Sequence, residues 1–128
     1  SKGNVLRGSV DEILYTDDGD LIVLDFKSRG SRLTPFPDYS QFQLDIYNFL
    51  LRKQGFSTED FGCLLFLHPT SFNLDGTIFF NKQLLKIPVD AKRAEKTFYD
   101  AIKLLEEPRP ELNPNCQYCN WNAGKPKE

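Results

Sequence analysis

Two aspartates and a lysine carry the clearest chemical potential in this chain: Asp25 and Lys27 lie two positions apart, and Asp11 lies fourteen positions before Asp25. Converging carboxylates are hard oxygen ligands for a divalent cation, and an ammonium beside them can deprotonate a bound water or stabilise charge. The residue types leave both roles open for Lys27. The apolar run Leu21-Ile22-Val23-Leu24 leads directly into Asp25-Phe26-Lys27. Such a pattern reads as a strand that buries its aliphatics and then delivers polar groups at its end.

Alternation along a strand puts Asp25 and Lys27 on one face and Phe26 on the other. Upstream, Asn4 to Tyr15 also reads as a strand, and Asp17-Asp18-Gly19 reads as a three-residue hairpin loop with Gly19 in the left-handed position. That loop pairs Thr16 with Asp20, sets Tyr15 against Leu21 and Ile13 against Val23, and so brings Asp11 opposite Asp25. Like charges opposed in this way are destabilising, which predicts a cation between them with Lys27 as a second positive charge. A two-residue Asp18-Gly19 turn would place Glu12 opposite Asp25 instead.

A helix follows. Asp38 or Ser40 can cap it after Pro37, Leu44, Tyr47 and Leu51 recur at helical spacing, and Gly55 stops it. Gln43 and Tyr47 stack on one face, with Tyr39 a turn earlier. An amide on an otherwise apolar face needs a partner, whether a phosphate, a base edge or a metal-bound water. Tyr47 reads either as a stacking ring or as a core aromatic.

Gly8-Ser9-Val10-Asp11, Asp25-Phe26-Lys27 and Gln43-Leu44-Asp45-Ile46-Tyr47 together resemble, in order and spacing, the GxxD, (D/E)xK and QxxxY motifs of the RecB-like branch of the PD-(D/E)XK nucleases. This branch includes nuclease domains of recombination helicase-nucleases and CRISPR-associated RecB-like exonucleases. The resemblance implies Mg²⁺- or Mn²⁺-dependent hydrolysis of DNA phosphodiesters, with exonuclease action preferred over endonuclease action. By the same resemblance Asp11, Asp25 and Lys27 form the catalytic set. Asp11, Asp25 and the main-chain carbonyl of Phe26 would hold the metal, and Gln43 and Tyr47 would line the DNA side.

The remaining elements fit one α/β domain. Phe61 to Leu67 reads as an apolar strand covered on both faces, Thr77 to Pro88 as a second strand after an Asp75-Gly76 turn, and Asp90 to Glu107 as a helix with the stripe Ala94, Phe98, Ala101, Ile102, Leu105. The element order ββαββα is that of an α/β sandwich, and the resemblance implies a restriction-endonuclease-like mixed sheet flanked by helices over residues 1–107, with a tail at 108–128. Relatives place a helix before the first strand; here only Ser1 to Gly3 precede it, and the chain has no methionine. That suggests a piece of a longer protein, whose remainder, a partner subunit or self-association would complete it.

With 128 residues, 40% of them hydrophobic, the chain can bury a single core, and no apolar run reaches the roughly 18 residues of a membrane span. A cytoplasmic protein is expected. The net charge of −2 does not suit general nucleic-acid binding, so phosphate contacts must come from a local cluster, Lys27, Arg29 and Arg32. His68, far along the chain from both acidic motifs, is set aside as a ligand. Cys116 and Cys119 form a CxxC pair that reads as a zinc or cluster remnant. A closed site takes four ligands, and Cys63 lies inside a strand, so an iron–sulfur cluster within this chain is not expected. Besides a nuclease, the sequence admits a catalytically weak DNA-binding or assembly module, and a metal-linked interaction domain built on Cys116 and Cys119.

Overall fold

The computed structural model describes residues 3–30 and 38–124. Its elements are β1 (Glu12–Tyr15), β2 (Leu21–Ser28), α1 (Asp38–Lys53), β3 (Phe61–Phe72), β4 (Ile78–Pro88), α2 (Ala91–Glu106) and α3 (Gln117–Ala123). The order ββαββα is as expected, and a short helix follows in the tail. The four strands form one mixed sheet in the order β1-β2-β3-β4, with β2 and β3 parallel and the outer pairs antiparallel.

The β1–β2 turn fixes the register on which the site depends. Thr16 and Asp20 close it through Thr16 N to Asp20 O at 3.0 Å, and Gly19 adopts φ 87°, a conformation that costs glycine least. Ile13 therefore pairs with Val23 and Glu12 with Leu24. Counting one step further sets Asp11 opposite Asp25, so the two-residue turn is excluded. The first strand is shorter than expected, however, because the ladder begins at Glu12 rather than Asn4.

Because β2 and β3 are parallel, the chain must cross over between them, and α1 is that crossover. It starts beyond the carboxyl end of β2 and buries Leu44, Tyr47 and Leu51 against Leu21 and Val23 of β2 and Leu64 and Phe66 of β3. Burying each such side chain contributes about 1.5–3 kcal/mol, so this layer dominates the stability of the fold. The second helix stacks on α1 rather than on the sheet. Asp90 caps α2 by accepting from Lys92 N and Arg93 N, and Arg93 then reaches back to Asp45 of α1.

Two expectations are corrected here. The third strand is not covered on both faces: Gly62, Leu64 and Phe66 are buried beneath α1, while the alternate residues are only partly covered. Among the described residues no helix lies over that second face, where Phe26 remains 46% exposed and Leu84 64%. The stripe on α2 is likewise only partly used, since Ala94 is buried but Ala101 and Leu105 are exposed. No described helix is long and apolar enough to cross a membrane.

Candidate active site

Asp25 shares its strand face with Leu21 and Val23, and it is almost as buried as they are, with 2% of its surface exposed. A carboxylate taken that far from water needs charge or hydrogen bonds to offset the lost solvation. Three neighbours supply them. Lys27 Nζ lies 2.5 Å from Asp25 Oδ2, Gln43 Nε2 donates to Asp25 Oδ1 at 3.3 Å, and Gln43 Oε1 accepts from Lys27 Nζ at 2.6 Å. The three side chains thus close a ring between β2 and α1. Gln43 Nε2 also donates to the Tyr47 hydroxyl at 2.7 Å, which fixes the orientation of the amide from the core side.

The first motif is tied to the same ring. Asp11 Oδ2 accepts from Phe26 N at 2.9 Å, so its carboxylate is clasped to the backbone between Asp25 and Lys27. Gly8 lies against Tyr47: a Cβ there would stand 2.8 Å from Tyr47 Cε1 and 3.1 Å from Leu50 Cδ1. A glycine is thus required three residues before Asp11 because the segment passes directly over the ring that holds Gln43. The GxxD, DxK and QxxxY residues form one connected structure. The repulsion anticipated between Asp11 and Asp25 is met here by Lys27 on one carboxylate and the Phe26 amide on the other.

Asp25 Oδ2 is buried and, although ion-paired, receives no hydrogen bond of good geometry. An oxygen in that state, with a second carboxylate one strand away, suits a hard divalent cation, which needs only one or two carboxylates and keeps several waters. Among the described residues no group of three or more His, Cys, Asp or Glu side chains gathers at metal-binding spacing. The acidic side chains at this position are the two aspartates, Asp11 and Asp25.

Of the other expected residues, Arg29 is exposed one position past β2, its amide donating to Leu67 O at 3.0 Å. Arg32 lies outside the described residues, as does the side chain of Tyr39. Tyr47 is a core aromatic by burial, and its hydroxyl meets Gln43. Cys116 and Cys119 are adjacent at the start of α3, with Cys119 N donating to Cys116 Sγ at 3.3 Å. That amide stabilises a thiolate and holds the Cys116 pKa below the ordinary thiol value, whereas the bond to Cys116 followed by burial raises that of Cys119. Cys63 sits apart in β3, its pKa raised by burial.

Sequence reading missed Asp45. Fully buried on α1, it accepts from Asp90 N at 2.7 Å and from Arg93 Nε and Nη2 at 2.6 and 2.9 Å. The hydrogen bonds to Asp45 raise the Arg93 pKa above its ordinary value. An acidic residue within the apolar face of a helix was the available signal. The helix-side partner of Lys27 was also missed, because an amide in a sequence does not reveal which neighbour it will meet.

The family model of the PD-(D/E)XK nuclease superfamily matches residues 2–123, and the chain belongs to that superfamily. Its four-stranded mixed sheet flanked by helices is consistent with the restriction-endonuclease-like fold. No curated protein matches the chain. Among solved structures it is similar to one titled "Crystal structure of SSO0001", with a TM-score of 0.51 and 23% identity over 91% of this chain. The match covers 49% of that chain, so the present sequence spans about half its length.

Proposed function

We propose that this chain carries the catalytic centre of a metal-dependent deoxyribonuclease of the RecB-like branch, acting on DNA in the cytoplasm with Mg²⁺ or Mn²⁺. The observation that carries the reading is the closed ring of Asp25, Lys27 and Gln43, with Asp11 one strand away. Asp25, Asp11 and the Phe26 carbonyl would hold the cation, which when bound neutralises phosphate charge and acidifies a coordinated water.

The chain's own groups do the rest. Lys27 keeps a quarter of its side chain exposed where Asp25 keeps almost none, so Lys27 is the member of the pair that solvent or substrate can reach. There it meets a phosphate oxygen or a water and stabilises the charge that develops as the ester is cut. Gln43 gives Lys27 a second acceptor, which keeps the ammonium at the site when Asp25 Oδ2 is engaged elsewhere. Tyr47 holds Gln43. A buried, pre-oriented set of this kind needs little reorganisation during reaction.

Exonuclease action is favoured over endonuclease action by the similarity of the three motifs to RecB-like sequences. The test is cleavage of end-labelled and circular DNA, single- and double-stranded, in Mg²⁺, Mn²⁺ or EDTA. Degradation from ends that stops in EDTA supports the reading. Activity that persists in EDTA overturns the metal mechanism, and cutting of circles overturns the exonuclease assignment.

A further inference from the structure

The strands β3 and β4 are longer than the sheet that carries them. Ser28, the last residue of β2, pairs with Leu67, whereas β3 continues to Phe72 and is matched by β4 back to Ile78. A two-stranded ribbon therefore overhangs the carboxyl end of β2, the end where Asp25 and Lys27 emerge. The register decides which residues share the site's face. Lys27 pairs with Phe66, and Phe66 with Gln83; the next pairs outward on the same face are His68 with Asn81 and Ser71 with Phe79. The ladder thus brings His68 beside the site despite its distance along the chain.

That face of the ribbon is mostly polar and carries one aromatic ring, Phe79, which is 50% exposed. The irregularity between Pro69 and Ser71 inserts Thr70, whose hydroxyl donates to the Phe79 carbonyl at 3.2 Å and pins the backbone at that position. Bulges at sheet ends commonly re-aim side chains near active sites. Phe79 lies four residues beyond Gln83, about 13 Å along the strand direction. The opposite face of the ribbon, with Phe72, Ile78 and Phe80, is apolar.

We propose that the site-facing side of this ribbon is a track for an unpaired DNA strand, with Phe79 stacking on a base a few nucleotides from the scissile phosphate and His68 and Asn81 hydrogen-bonding the backbone between. Sequence-tolerant single-strand binding stacks bases on exposed rings beside positive charge that meets the backbone, here Lys27 at the inner end of the ribbon, and a base inside an intact duplex cannot offer its face to such a ring. The substrate class is thereby narrowed to single-stranded DNA or a frayed end. This assignment rests on the nuclease reading, because only that reading puts DNA at the adjoining carboxylates.

The experiment uses the full chain and a single-stranded oligonucleotide carrying 2-aminopurine, whose fluorescence is quenched by stacking, in metal-free buffer. Quenching should occur with the parent, fall with Phe79→Ala alongside roughly tenfold or weaker binding, and survive in Phe79→Trp. Phe72→Ala, on the other face, should bind like the parent. Equal binding by parent and Phe79→Ala overturns the track, as does equal loss in Phe79→Ala and Phe72→Ala, or the absence of binding by the parent. Cleavage of the same oligonucleotide with Mg²⁺, measured separately, reports on the nuclease reading: a parent that cuts but is indifferent to Phe79→Ala would refute the track and leave the nuclease standing.

Discussion

A carboxylate as buried as Asp25 is tolerable only because its neighbours were placed for it. Lys27 comes from the same strand face, two residues on, and Gln43 comes from the helix that must cross above. Of this group, Asp11, Asp25 and Lys27 were legible in the sequence because strand alternation and a three-residue loop fix where they point. The joint between Gln43 and Lys27 was not legible, since it depends on how far α1 settles onto β2. Gly8 shows how such settling constrains a residue with no functional group. Gly8→Ala should force the segment or the Tyr47 ring to shift, costing about 1–3 kcal/mol. Its melting temperature should fall, and activity should fall with it if Tyr47 loses its hold on Gln43. An unchanged melting temperature would show that the segment moves freely.

Among the elements, α1 has two working faces: one supports the site, and the other locks α2 through Asp45. Removing Asp45 leaves the Asp90 amide without its acceptor, while Arg93, half exposed, can turn to water, so Asp45→Ala should cost about 1–3 kcal/mol. Arg93→Ala takes the charged partner from the fully buried Asp45 carboxylate and leaves it only the Asp90 amide, so it should cost at least as much, and chemical denaturation of both variants compares them. A melting curve for Asp45→Ala matching the parent would mean that the two helices dock without this contact. The start of α3 makes a separate prediction from its thiols. Cys116, whose pKa is lowered by the Cys119 amide, forms thiolate at lower pH than Cys119, whose pKa is raised. Raising the pH stepwise in iodoacetamide should alkylate Cys116 first, as read by peptide mass spectrometry, and the reverse order would contradict the hydrogen-bond direction. Element order was readable throughout, but the length of β3 was not. Pro69 lacks an N–H and reads as a strand end, yet the ladder resumes beyond it through the bulge.

Across the whole molecule, the sheet buries one face under α1 and leaves the other, with Leu14, Phe26 and Leu84, largely open among the described residues. A uniformly apolar β3 reads the same whether one face or two are covered, so this asymmetry was hidden in the sequence. Exposed apolar surface of this kind limits solubility. Phe26→Ser with Leu84→Ser should lower light scattering at high concentration while shifting the melting temperature little. A large loss of stability would show that these side chains are packed.

Single-turnover cleavage of labelled DNA with Mg²⁺, in parallel with melting curves, decides whether the ring of Asp25, Lys27 and Gln43 is a nuclease centre. Asp25→Asn and Lys27→Ala should each lower the rate by about 10²-fold or more, and Gln43→Ala by less, all three remaining folded. A folded Asp25→Asn or Lys27→Ala variant that cuts DNA at the parent's rate would show that cleavage does not depend on this ring.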